Sequence, residues 1–331
     1  MTNNPAKPTG SITLCTLIAL TGFATFSVHD ALIKTLQAYS LFQIGFFAVL
    51  FSFVPFTLFI ALQREQILLR PKLPKLVAVR CISIFGSMVC AFYAFKSLPL
   101  AQAYALIFAA PLLITILAIP VLKERVKWYR WMAIILGFFG VVIVLNPGTQ
   151  AMTTGHAAGM AAALFSATTA VITRKIGNRE SSLTLIVYPL LVNLSICALA
   201  MVWVYQPMSG QTLAIMCSIG LLAVLGQALL IYAYRNAPAQ YIAPFQYSQM
   251  LWAVIIGALF FNETPGRNVW LGSLVIVLSG MMIVWRELTA SRTKPILSTR
   301  NFRAVSGPAA YSSETDEQPA PDTTDNKPDL N

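Results

Sequence analysis

Ten apolar runs of about twenty residues, separated by short polar connections, leave this chain few ways to fold. They cover approximately residues 12–34, 41–62, 76–97, 101–122, 128–146, 156–174, 182–205, 212–234, 240–261 and 268–286. A helix rises ~1.5 Å per residue, so ~20 residues match a hydrocarbon core ~30 Å thick. Strands of a membrane barrel would alternate apolar and polar residues, and these runs do not. Composition agrees: 57% of the residues are hydrophobic and only 11% charged, against roughly 25% charged in a soluble domain. Too few charges remain to coat a water-soluble globule, and a disordered chain would be far less apolar. The reading is an all-α polytopic membrane protein with ten transmembrane helices. The first run has no clear small-x-small cleavage site after it and continues into His29, Asp30 and Lys34, so it reads as a retained helix rather than a signal peptide.

The net charge of +11 sits between the apolar runs, which points to membrane lipids as partners and not to nucleic acid. With the N-terminus placed in the cytoplasm, 20 Lys and Arg residues fall inside and only Lys34, Lys96 and Arg267 fall outside. Over short loops this bias sets orientation. It predicts a multi-pass protein of the inner membrane with both termini cytoplasmic. Residues 1–11 form a short cytoplasmic start. Residues 287–331, rich in Ser, Thr, Pro and acids, form a tail that cannot bury a core and reads as disordered. The five cysteines (Cys15, Cys81, Cys90, Cys197 and Cys217) lie inside apolar runs. They predict neither a disulfide nor a metal site, and no cofactor is expected.

Sliding the sequence against itself by 139 residues produces a match without gaps. Tyr93-Ala94-Phe95-Lys96 falls on Tyr232-Ala233-Tyr234-Arg235, Pro99 on Pro238, Leu112 on Leu251, Ile116 on Ile255, Glu124 on Glu263 and Trp131 on Trp270. The shift equals five spans, an odd number, so the second copy must cross the bilayer in the opposite sense. Two inverted five-helix halves, over 12–146 and 156–286, can exchange conformations around a site near the midplane. Such repeats point to a transporter and also occur in channels; a duplication kept only for packing is the plainer alternative.

These residues resemble the drug/metabolite transporter superfamily and, within it, the EamA-type family. The resemblance covers roughly residues 11–288. It is carried by Gly226-Gln227, Ala233-Tyr234-Arg235-Asn236-Ala237-Pro238, Pro244-Phe245-Gln246-Tyr247, Gly257, Asn262-Glu263-Thr264-Pro265, Gly272, Gly280 and Arg286-Glu287. Weaker matches are His29-Asp30-Ala31 with Lys34, and Leu122-Lys123-Glu124-Arg125. Ala48 stands where relatives often carry Arg. The resemblance implies two EamA-type repeats around a cavity lined by spans one, three, four, six, eight and nine. It implies secondary transport of a small organic metabolite by alternating access, closest in flavour to the subgroup of S-adenosylmethionine and riboflavin carriers. Amino acids and related solutes are further candidates, and a homodimer stays open.

The polar residues inside the spans are the candidate substrate contacts. Asp30 and Lys34 share a helix face and can pair, so Asp30 is an outward gate, a protonatable coupling group or a structural ion pair. His29 precedes it and reads as pointing elsewhere, a hydrogen-bond donor between helices. In span nine, Gln246, Gln249 and Trp252 continue one face, with Tyr247 beside them and a kink expected at Pro244. Span four offers Tyr104 and Phe108, with Pro111 beyond. Tyr93, Tyr232 and Gln227 add polar tips from spans three and eight. Aromatic walls with a few amides suit a flat or heterocyclic solute, although such amides also serve as glue between helices. Glu124 and Glu263, at matched positions, read as caps on neighbouring helix N-termini. Glycine pairs such as Gly137/Gly140 and Gly272/Gly280 read as close-packing points. With no G-x-x-x-x-G-K-[ST] loop, H-E-x-x-H or G-x-S-x-G motif, an enzyme is not expected. A membrane-embedded enzyme, a channel-like pore and a scaffold acting through the tail remain the rival classes.

Overall fold

The computed structural model describes residues 12–63, 71–123, 128–146, 152–237 and 242–290. Among them every regular element is helical: α1 (Ile12–Thr35), α2 (Leu41–Gln63), α3 (Pro74–Ser97), α4 (Leu100–Ile107), α5 (Ala110–Leu122), α6 (Trp128–Leu145), α7 (Thr154–Ile176), α8 (Ser182–Val204), α9 (Gly210–Asn236), α10 (Ser248–Phe261) and α11 (Arg267–Ala290). Two 3-10 turns, Gly177–Arg179 and Ala243–Tyr247, lie between them. Six helical stretches are long and apolar enough to cross a membrane: Thr13–Thr35, Pro74–Ser97, Leu100–Leu122, Thr154–Ile176, Thr184–Val204 and Gly210–Tyr234. Four shorter apolar helices accompany them. The first eleven residues, Glu124 and the tail beyond residue 290 lie outside the described residues.

Local chemistry sets the helix ends. Pro74 opens α3, where its missing N–H costs nothing. Ser181 and Ser209 accept the amides of Thr184 and Thr212 at 3.1 and 3.2 Å, satisfying donors that a helix start leaves free. At the start of α7 the His156 ring accepts the Thr153 amide at 3.1 Å.

Spans four and nine are broken rather than continuous, and at the same register. α4 stops at Ile107, and the chain turns through Phe108 and Ala109 with 3-10-type bonds from Ala109 N to Leu106 O and from Leu112 N to Ala109 O, each 3.1 Å. Pro111 cannot donate to the Ile107 carbonyl, which explains the stop. Shifted by 139, Phe108 and Ala109 become Tyr247 and Ser248, where the 3-10 turn through Pro244 gives way to α10. Both spans also end on a left-handed residue at matched positions, Lys123 (φ 55°) and Asn262 (φ 52°). The expected kink at Pro244 is therefore a 3-10 entry into α10.

Packing repeats between the halves. The most extensive contacts join α3 to α7, α1 to α9 and α6 to α11; the first two exchange under the repeat. α6 and α11 approach so closely that a Cβ on Gly140 would sit 2.9 Å from Gly272 O, and one on Gly272 2.6 Å from Gly140 O. These glycines act as the sequence pattern suggested. Large apolar side chains cover the outside, among them Val202, Trp203, Leu259 and Phe260, as expected of a lipid-facing surface.

Hydrogen bonds sort the helix ends into two groups. At one end, Lys96 Nζ donates to Tyr39 O at 2.7 Å, Tyr39 OH to Thr212 Oγ1 at 3.4 Å and Gln43 Nε2 to Gln206 O at 2.8 Å. This end also carries Lys34 and is called the Lys34 end. At the other, the Arg80 end, Leu73 N donates to Glu180 Oε1, and Arg80 Nε to Thr173 Oγ1 at 2.9 Å. α3 therefore finishes at the Lys34 end, whereas α9, its counterpart in the repeat, starts there.

Candidate functional site

Asp30 and Lys34 each find a partner other than the one the spacing suggested. Lys34 reaches across the halves to form an ion pair with Glu263 Oε1, and donates to Leu98 O at 2.5 Å. The other Glu263 oxygen accepts the Leu100 amide at 2.9 Å. Glu263 thus caps α4, the role its position suggested, and neutralises a buried lysine as well. Its side chain and that of Lys34 are only 17% and 10% exposed. One turn deeper, Asp30 is buried and accepts from Tyr104 OH on one oxygen. Its other oxygen lies 2.7 Å from Nδ1 of His29, which is fully buried. The expectation that His29 points elsewhere does not hold, because the δ nitrogen sits close enough to the backbone to reach the next residue's carboxylate.

Aromatic rings continue inward from Tyr104. Its ring lies 5.4 Å from Phe95 and 5.6 Å from Phe108, and Phe108 lies 5.6 Å edge-on to Tyr247. Each spacing is that of an attractive aromatic pair. The two residues at the matched breaks, Phe108 and Tyr247, thus touch where the halves meet. The Tyr247 hydroxyl occupies the space above Gly280, where any Cβ would collide with it. Asp30, Tyr104, Phe108 and Tyr247 form one continuous row.

The other expected contacts divide. Gln249 is buried and Gln246 half-buried on either side of the α10 start, and Gln227 is buried on α9. Trp252 is half-buried, with its Nε1 buried and without a partner. Ser248 Oγ, one turn earlier on the same face, is likewise buried and unpartnered. Two buried hydrogen-bonding groups without partners are costly, and both lie on one face of α10 beside the break. Ser248 escaped the sequence reading, which weighed amides and aromatics; its signal was the i, i+4 spacing to Trp252. Tyr93 and Tyr232 join none of this. They are 38% and 48% exposed: Tyr93 bonds Thr154 Oγ1 at 2.8 Å, and Tyr232 lies on the outward stripe of Leu221 and Leu225.

Arg80, counted in the sequence among the basic residues of the cytoplasmic side, is a buried residue, 2% exposed. Besides Thr173, its Nη1 donates to Leu185 O. That carbonyl would ordinarily accept from residue 189, which is Pro189 inside α8 and has no N–H. The guanidinium supplies the missing donor, so Arg80 belongs to the fold of this end. Among the described residues no group of three or more His, Cys, Asp or Glu is arranged to hold a metal ion.

The chain is similar to known proteins. The chain is 31% identical to a riboflavin transporter of Vibrio cholerae over 59% of its own length; the match spans 65% of that protein, less than two thirds. It is 26% identical to an S-adenosylmethionine uptake transporter of Rickettsia prowazekii over 83% of this chain and 94% of the relative. It is 27% identical to the pseudopaline exporter CntI of Pseudomonas aeruginosa over 84% and 96%. A solved crystal structure superposes with a TM-score of 0.54 at 16% identity, over 85% of this chain and 98% of that one, which speaks for the fold alone. The EamA-like transporter family model matches residues 13–146 and 153–285, so both halves of the chain carry it and the chain belongs to that family.

Proposed function

We propose that the chain is a ten-span carrier of the inner membrane, N- and C-termini cytoplasmic, built from two inverted halves over 12–146 and 156–286. The halves rock to present a small organic metabolite to one side and then the other. The observation that carries this reading is the opposed direction of α3 and α9, which match in the repeat yet meet the Lys34 end with opposite termini. Carriers of this construction place the solute between the halves beside interrupted helices. Here the breaks at Phe108 and Tyr247 face each other. The row of Tyr104, Phe108 and Tyr247, with Gln246, Ser248, Gln249 and Trp252 close to Tyr247 in the chain, suits a flat heteroaromatic solute carrying a few polar groups, and Gln227 on α9 is a further candidate contact.

Riboflavin and S-adenosylmethionine fit that description, and relatives named for both support the choice. A relative named as an exporter leaves direction to experiment. Purified protein in liposomes should move radiolabelled riboflavin or S-adenosylmethionine with saturable kinetics. Trp252→Phe, which removes the indole donor and shortens the ring system while keeping an aromatic face, should weaken that flux by about 10-fold or more, at least the equivalent of one hydrogen bond. Flux that rises linearly with solute concentration would overturn the carrier in favour of a pore. Thiol labelling that places residues 97 and 236 on one side of the bilayer would overturn the inverted arrangement.

A further inference from the structure

One titratable group inside the protein has a site left over. His29 is fully buried, with Nδ1 against Asp30 and no partner at Nε2. An ionised carboxylate only accepts, so with Asp30 ionised the imidazole proton belongs on Nδ1 and Nε2 carries a bare lone pair. The rings of Phe26 and Phe92, with centroids 6.4 and 6.3 Å from the imidazole, close in around it. α1 packs against α3, α9, α10 and the 3-10 turn. Toward this level they bring Lys96, which donates to Tyr39 O, and Tyr247, edge-on to Phe108. Glu263, beyond α10, is engaged with Lys34 and the α4 N-terminus, and Tyr104 of α4 donates to Asp30. The titratable tyrosines of α9, Tyr232 and Tyr234, lie toward its opposite end.

We propose that His29 and Asp30 form a proton-binding site, so that the carrier takes up and releases a proton as its ends open in turn. Separation of Lys34 from Glu263 admits water to a level about one helical turn from Asp30 and about 7.5 Å along α1 from His29. A proton from that water adds to the Nε2 lone pair and forms an N–H bond. The resulting imidazolium is held by the Asp30 carboxylate, whose other oxygen keeps the Tyr104 hydrogen bond. Release breaks the same N–H bond and returns the proton to water on the opposite side. The proton site concerns the same cavity as the carrier reading and presumes it for the release step only.

The chain contains only two histidines, His29 and His156. Protein labelled with 15N-histidine in lipid nanodiscs therefore gives two imidazole signal sets, told apart by His156→Gln or, independently, by His29→Asn. Between pH 9 and pH 5 the bare-nitrogen resonance of His29 should disappear and a protonated one replace it. Asp30→Asn should change the pH at which that replacement occurs, because Nδ1 then no longer faces a carboxylate. A His29 that keeps one neutral form across the range overturns the proposal. So does an Asp30→Asn midpoint equal to the wild type. A second arm imposes a pH gradient on proteoliposomes containing a pH-sensitive dye, with riboflavin or S-adenosylmethionine outside. Solute movement without proton movement overturns the proton site and leaves the carrier intact. Titration of His29 where neither probe moves retains the proton site and overturns the choice of solutes.

Discussion

The two ends of the molecule hold their buried charges by different means. At the Lys34 end, opposite charges meet directly: Lys34 and Glu263 pair across the halves, Lys34 also donates to Leu98 O, and Glu263 also accepts from Leu100 N. At the Arg80 end, among the described residues, Arg80 and Glu180 are kept apart and each bonds neutral groups. Arg80 donates to a hydroxyl and a carbonyl, and Glu180 accepts a backbone amide. All of these bonds also cross between the halves. A direct pair fails as a unit, because losing either member strands the other in a poorly hydrated place. Separated charges fail one at a time, each at the cost of its own hydrogen bonds. In the proposed carrier, one end then opens when two charges part and are hydrated together, and the other by a series of smaller losses.

The sharpest test removes a single charge from the pair. Glu263→Gln keeps an oxygen for the Leu100 amide but leaves Lys34 without a counter-charge. Breaking a buried pair in this way costs on the order of 3–5 kcal/mol, which should appear as a large fall in the thermal midpoint of detergent-solubilised protein. Combining it with Lys34→Met should recover most of the loss, because a neutral pair of similar volume has no stranded charge. Equal midpoints for Glu263→Gln and wild type would erase the distinction between the ends.

At the opposite end, Arg80→Met should cost about 1.5–3 kcal/mol, the worth of a charged hydrogen bond. The loss has a specific location, the Leu185 carbonyl that Pro189 cannot satisfy. Pro189→Ala restores an N–H to that carbonyl and should soften the effect of Arg80→Met. The two substitutions together should therefore be less damaging than the sum of each alone, and strict additivity in a double-mutant cycle would show that the guanidinium does not serve that carbonyl.

Much of this was written in the chain in forms that one-dimensional reading can detect. Apolar runs and the distribution of Lys and Arg depend on local composition, so the segments were legible one by one. The shift of 139 residues was legible because both copies keep the same order of landmarks; it matches Glu124 to Glu263, and the residues just before them, Lys123 and Asn262, share a left-handed backbone. Pairings over long separations were not legible. Nothing near Lys34 names Glu263, which lies more than two hundred residues away, and the nearer Asp30 was the natural candidate by helical spacing. Arg80 was read as topology because a basic residue near a helix start usually is; its burial follows from Pro189 on another helix. The contact between His29 and Asp30 was missed because adjacent helical residues diverge, a rule that a short reach from Nδ1 escapes. Of the expected solute contacts, Tyr93 and Tyr232 matched each other in the repeat, but a repeat conserves position along a helix without fixing which face looks inward.

The smallest effect isolates charge from geometry. Glu180→Gln applies to the Arg80 end the same change that Glu263→Gln applies to the Lys34 end. The amide oxygen can still accept from Leu73 N, so the connection from α3 to the turn after α7 survives. Only the charge assistance is lost, roughly half the strength of the bond, and no buried cation is stranded, because Arg80 is bonded to Thr173 and Leu185 instead. The expected change is about 1 kcal/mol or less, a shift of a few degrees at most in the same thermal measurement. If the two glutamine variants instead lose comparable stability, Glu180 must be compensating a cation after all, and the two ends would be held by one mechanism rather than two.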